Sequence, residues 1–163
     1  MFNGSHQKIR TFLWFDTQAE EAANFYTSIF KNSKIGNVAR HGEVGPGWAA
    51  EVWFVAFELD GVEFMALNGR PEDYKFTPAT SLFVMCKNQD EVDHYWARLL
   101  EGGEPMQCGW LQDKFGVTWQ IVPERLGELL GDDDAEKSGR VMQAMMPMVK
   151  LDIAELERAY AGQ

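Results

Sequence analysis

The chain runs through one order of elements twice, and that duplication limits its fold more than any other feature. Ile9 to Phe15 (IRTFLWF) is a short apolar run with the length and aromatic character of a buried strand. A capping box follows, Thr17 to Glu20. Ala19, Ala22, Ala23, Tyr26, Ile29 and Phe30 then recur at helical spacing, which predicts an amphipathic helix stopping near Asn32. Lys34 to Arg40, Val52 to Leu59 and Val62 to Leu67 read as strands, the last two joined by the hairpin turn Asp60-Gly61. The order restarts at Ser81 to Lys87 (SLFVMCK), another apolar strand. Asn88 to Glu91 is a second capping box, and Val92, Tyr95, Trp96, Leu99 and Leu100 line one helical face that Gly102-Gly103 closes. A strand near Glu104 to Cys108 leads into WLQDKFGVTWQIVP, Trp110 to Pro123. That stretch reads as a hairpin around Lys114-Phe115-Gly116, with Gly116 free to take the left-handed conformation.

A βαβββ unit repeated at an offset of roughly 70 residues has few ways to bury itself. One such sheet carries its helix on one face and leaves the other open. Two of them can curl into a cupped, eight-stranded sheet with a ligand-sized hollow. The expected class is therefore α+β: paired βαβββ modules forming a cupped mixed sheet, followed by C-terminal helices. The repeats span about 8–69 and 79–125, with Asn68 to Pro78 as connector and 126–163 as a helical extension. Together they make one domain over 8–163. In the extension Leu126, Leu129 and Leu130 suggest a helical turn, and Asp132 to Asp134 a capping acidic stretch. Ser138 to Met146 reads as a helix ended by Pro147, and Asp152 as the cap of a last helix through Ile153, Leu156 and Tyr160. Val141, Met142, Met145 and Met146 form an apolar stripe that needs a cover.

Composition narrows the function classes. A net charge of -10 leaves no basic stripe to contact phosphates, so nucleic acid is not an expected partner. Hydrophobic residues at 45% suffice for a full core, yet no apolar run approaches a membrane span. Cys86 and Cys108 form neither a disulfide framework nor a C-x-x-C pair, and no secretory signal is visible, which points to a reduced, cytoplasmic setting. His6 lies in the N-terminal tail, His41 beside the glycine-rich stretch Gly42 to Gly47, and His94 on the outer side of the second helix. None sits within a strand. Cys86 is expected to face the second helix as a packing residue, Cys108 to be the more open thiol, and Asp113 to fix the hairpin loop.

FLWFDTQAEEAANFYTSIF, WLQDKFGVTWQIVP and GRVMQAMMPMVKLDIAELERAY together resemble the PhnB-like family. That family is also called 3-demethylubiquinone-9 3-methyltransferase-like, and belongs to the vicinal oxygen chelate superfamily with glyoxalase I and bleomycin resistance proteins. The resemblance runs from about Lys8 to Tyr160. It implies paired βαβββ modules and a homodimer. It also implies a place for a divalent metal held by four strand residues, corresponding here to about Thr11, Met65, Ser81 and Gln120. Of these only Gln120 is a reasonable ligand, so no metal and no other cofactor is expected. A register slip of one residue would substitute Phe12, Ala66 or Phe64, Leu82, and Ile121 or Trp119, which are poorer still. No glycine-rich turn leads from a strand into a helix, so methyl transfer from a nucleoside cofactor is not expected either.

The hollow is expected to be lined by Leu13, Phe15, Met65, Leu67, Phe83 and Met85, with Thr11, Ser81, Thr118 and Gln120 as its polar groups. Thr11, Leu13, Phe15, Met65, Ser81, Phe83, Thr118 and Gln120 are thus the candidate ligand-binding residues, and Trp48, Trp53 and Trp110 candidates for a rim. Three functions fit these residues. The first is metal-independent binding of an apolar or aromatic small molecule, with or without chemistry. The second is a metal-dependent dioxygenase, lyase or isomerase. The third is a protein that sequesters a cationic drug.

Overall fold

The computed structural model describes residues 7–40, 52–69 and 74–163. His6, His41, Trp48 and the stretch Gly42 to Gly47 lie outside the described residues. The chain divides into two compact units, Met1–Tyr74 and Lys75–Gln163. The first contains β1 (Thr11–Phe15), α1 (Ala19–Ile29), β2 (Lys34–Arg40), β3 (Val52–Leu59) and β4 (Val62–Asn68). The second begins with β5 (Leu82–Cys86), α2 (Gln89–Leu99), β6 (Glu104–Pro105), β7 (Trp110–Gln112) and β8 (Thr118–Pro123). It ends in three helices, α3 (Glu124–Leu130), α4 (Ala135–Met145) and α5 (Ile153–Ala161).

Each unit folds a four-stranded mixed sheet, in the order β1-β4-β3-β2 in the first and β5-β8-β7-β6 in the second. The outer strand is parallel to its neighbour in both: β1 against β4, β5 against β8. The remaining pairs are antiparallel. The duplicated element order is therefore matched by a duplicated topology.

In the first unit α1 packs over the sheet face that carries Val55, Phe57, Phe64 and Ala66. Tyr26 lies with its ring 6.3 Å from that of Phe57, which in turn stacks on Phe64. Ala22 and Ala23 are fully buried, because small side chains let the helix backbone approach the strands. The entry to α1 departs from the expected capping box. Gln18 holds the N-cap position without a side-chain bond. The amide of Ala19 donates instead to Oδ1 of Asn68, at 2.8 Å, while Nδ2 of Asn68 donates to the carbonyl of Val52. The end of β4 thus caps α1 across 49 residues of chain.

The second cap forms at the expected residues, with the Glu91 side chain reaching back one residue beyond the N-cap Asn88. Oδ1 of Asn88 accepts from the Glu91 amide, and the Glu91 carboxylate accepts from the Lys87 amide. The strand expected over Glu104 to Cys108 is cut to Glu104–Pro105. Cys108 and Gly109 turn left-handed, at φ 58° and 80°, and donate their amides to the carbonyls of Met148 and Val149. This turn ties the hairpin to the C-terminal segment.

The extension builds a small core of its own from Leu126, Leu129, Val141, Met148, Leu151 and Leu156. Asp134 and Asp152 cap α4 and α5 with their side chains. Of the methionine stripe, Val141 is buried and Met145 packs on this core, whereas Met142 and Met146 are exposed.

Candidate functional site

Side chains alternate across a strand, and residues paired across a ladder share a face, so the registers state which residues each sheet presents away from its helix. In the second unit Leu82 pairs with Trp119 and Val84 with Ile121. Together with Leu111 and Cys86 they form the face beneath α2. The opposite face carries two adjoining rows. One runs Glu104, Gln112, Thr118, with Ser81 at its end. The other runs Trp110, Gln120, Phe83, followed by Met85 on β5.

Four neutral hydrogen-bonding side chains thus lie together, bordered by apolar ones. Gln120 donates through Nε2 to Oγ of Ser81, at 2.7 Å, and Gln112 donates to the carbonyl of Gly116, at 2.9 Å. Between the two glutamines sits Thr118, buried to 1% exposure. Its Oγ1 finds no hydrogen-bond partner among the described residues. Phe83 and Met85 are exposed to 54% and 61%. Of the eight candidates from the sequence, Ser81, Phe83, Thr118 and Gln120 are brought onto one face.

The first unit corrects the expectation for three of the other four, Thr11, Leu13 and Phe15. Thr11 pairs with Phe64 and Leu13 with Ala66, and Phe15 continues that alternation, so these three point to the α1 side. Leu13 and Phe15 are core residues at 7% and 3% exposure. Met65 pairs with Phe12 and lies on the opposite face with Phe12, Trp14 and Leu67. The residues on either side of Thr11, Arg10 and Phe12, therefore belong to the face away from α1. Phe12 and Trp14 are residues the expected lining missed; they are exposed to 47% and 39%. Trp14 meets Tyr74 edge to face at 5.6 Å, and its indole lies so close to Gly69 that a Cβ there would fall 2.1 Å from it. Counting from the paired strands, Arg10 and Glu63 occupy the places that Ser81 and Thr118 occupy in the second unit, and they form an ion pair. Met65 stands where the second unit has Gln120.

This donor set does not fit a dication. On the first sheet the places offer a thioether and a guanidinium bound to its own carboxylate; on the second, a hydroxyl and an amide bonded to each other. No three His, Cys, Asp or Glu side chains gather into a metal-binding group among the described residues. His94 lies exposed on α2, its ring edge-on to Tyr95.

Nucleophilic chemistry is equally poorly served. Cys86 is fully buried beneath α2, and its thiol is pushed up to about 12 by desolvation first and by Glu91 and Glu124 after it. It stays a neutral, packed thiol, as its position on the strand predicts. Cys108 is half-buried in the left-handed turn, its Sγ directed at the carbonyls of Met145 and Met146.

Asp113 supports this face from the hairpin. It is 3% exposed and accepts the amides of Phe115 and Val117 on Oδ1 and the indole N–H of Trp119 on Oδ2, at 2.8 to 3.0 Å. It fixes the loop, as expected, and it also sets where β8 begins.

Comparison with known proteins places this geometry. The family model for 3-demethylubiquinone-9 3-methyltransferase matches residues 7–122. A putative 3-demethylubiquinone-9 3-methyltransferase, PhnB protein, from Bacillus cereus is 41% identical, over 72% of this chain and 99% of that one, with a TM-score of 0.67. A Pseudomonas aeruginosa protein superposes at a TM-score of 0.62 with 18% identity, over 72% and 98% of the two chains. The fosfomycin resistance protein FosX from Listeria monocytogenes does so at 0.54 with 16% identity, over 81% and 100%. These last two likenesses are of fold alone. No curated protein matches. The matched span, the identity to the Bacillus protein and the twin mixed sheets agree: this chain belongs to the PhnB-like, 3-demethylubiquinone-9 3-methyltransferase-like family.

Proposed function

We propose that this protein binds a small apolar or aromatic molecule on the open sheet face, without a metal. The observation that carries the proposal is the face of the second sheet. There Ser81, Gln120 and Thr118 supply uncharged hydrogen-bonding groups beside exposed Phe83 and Met85. A mostly apolar surface with a few fixed polar groups is the usual make-up of a small-molecule site. Phe12, Trp14 and Met65 are the counterpart surface on the first sheet. Methyl transfer is not part of the proposal. The connections from β1 to α1 and from β5 to α2, Asp16-Thr17-Gln18 and Lys87-Asn88, contain no glycine to admit a nucleoside cofactor's phosphates or carboxylate.

The same proposal takes the two modules and the helical extension as one domain, working as a cytoplasmic homodimer. Exposed Met142 and Met146 are consistent with a second copy as cover. No described helix is long and apolar enough to cross a membrane.

A thermal-shift screen against quinones and other aromatic metabolites, with and without a chelator, tests the binding. Stabilisation by members of the panel, unchanged by the chelator, is expected. An entirely silent panel, or stabilisation that disappears with the chelator, would count against the proposal.

A further inference from the structure

Buried hydroxyls are almost always bonded, so one left open asks for an explanation. Thr118 is 1% exposed and its Oγ1 is unpartnered among the described residues. The reason lies with its neighbours. Gln112, across the ladder, donates to Gly116, and Gln120, two residues along the strand, donates to Ser81. At the corresponding place in the first sheet Glu63 is matched by Arg10. The second sheet alone has a hydroxyl left over at that position.

We propose that Thr118 is the specificity-determining anchor for a neutral hydroxyl-bearing aromatic ligand, admitted when Gln120 swings off Ser81. This inference rests on the small-molecule reading above and adds the ligand's chemistry. Gln120 is half-buried and bonded to a half-buried serine, so its rotation frees the Ser81 hydroxyl on the row that holds Thr118. A hydroxyl can donate to one and accept from another of these groups, since Ser81 and Thr118 each offer both functions. The residues of these two rows nearest Thr118, namely Ser81, Gln112 and Gln120, bear no charge, so an uncharged polar group meets no unbalanced ion there. The aromatic body then lies along Phe83 and Met85.

The test is calorimetric titration of the full chain with 2-naphthol and with 2-methylnaphthalene, which share a shape but not a hydroxyl, alongside thermal unfolding. The wild type is expected to bind 2-naphthol about five-fold more tightly, the size of one net hydrogen bond. Thr118→Val should abolish that preference while leaving 2-methylnaphthalene binding in place. It should also unfold at the same or a higher temperature, because the hydroxyl it removes is unpartnered among the described residues. Thr118→Ser should retain the preference. A preference that survives in T118V would overturn the anchor while leaving the binding reading standing. So would a T118V protein that loses several degrees of stability, which would reveal a structural bond. Failure of both probes to bind the wild type would sink the binding reading and this inference with it.

Discussion

Asp113→Ala should destabilise the protein by about 4 kcal/mol, lowering Tm by roughly 10 °C for a chain of this size. Asp113 gathers three N–H donors inside the hairpin, the amides of Phe115 and Val117 and the indole of Trp119. Truncation leaves all three without their acceptor, and Trp119 is only 2% exposed, so water does not readily replace the carboxylate. Asp113→Asn separates the contributions. Its oxygen can still accept from the two amides, but its NH2 then confronts the Trp119 N–H donor, so about half the loss is expected. Urea unfolding of the two variants checks this ordering. Equal stability of D113A and wild type would show that the hairpin is held by its backbone ladder alone.

Gly103→Ala should be comparably damaging for a different reason. A Cβ at Gly103 would lie 2.2 Å from the carbonyl oxygen of Gln112 and 2.9 Å from Cα of Asp113. Both are backbone atoms, so no rotamer change relieves the overlap. β7 must shift away from the end of α2, at about 3 kcal/mol or more. Its neighbour supplies the control. Gly102 has φ 73° but a Cβ there meets only the Lys114 side chain, at 3.4 Å and beyond. Gly102→Ala should therefore cost about 1–2 kcal/mol, the strain of a left-handed alanine. Because Gly103 and Asp113 act on the same strand end, the double variant should lose less than the two single losses added together. Full additivity would mean that the two sites do not share β7.

Much of the fold was legible because local signals repeat. Asn88 with Glu91, Asp60-Gly61 and Gly116 each specify a cap or a turn through their own chemistry, and the structure uses all of them. What failed was set by contacts remote in sequence. Thr17 has the residue type of an N-cap, but Asn68 reaches the first turn of α1 from the end of β4. Glu104 to Cys108 alternates enough to suggest a strand, but the carbonyls of Met148 and Val149 draw Cys108 and Gly109 into a left-handed turn.

The site divides along the same line. On the second sheet, polar Ser81, Thr118 and Gln120 alternate with buried Trp119 and Ile121, and that contrast identifies the open face. In β1 the run TFLWF is apolar on both faces, so periodicity gives no means of choosing between Leu13 with Phe15 and Phe12 with Trp14. Only pairing with β4 decides it, since Ala66 beneath α1 brings Leu13 to the core and leaves Phe12 beside Met65. The unpartnered hydroxyl of Thr118 leaves no trace in the sequence. It follows from where two glutamines direct their amides.

The claim on which the functional account rests is that the side chains on the open sheet faces, Ser81 bonded to Gln120 and Arg10 paired with Glu63, are unsuited to a dication. Elemental analysis of untagged protein, after equilibration with zinc, manganese, iron and nickel and removal of free ion, measures this directly. The account predicts far less than one ion per chain for every metal, and no change on replacing Gln120 with Met. One tightly held ion per chain, lost in Gln120→Met, would contradict it.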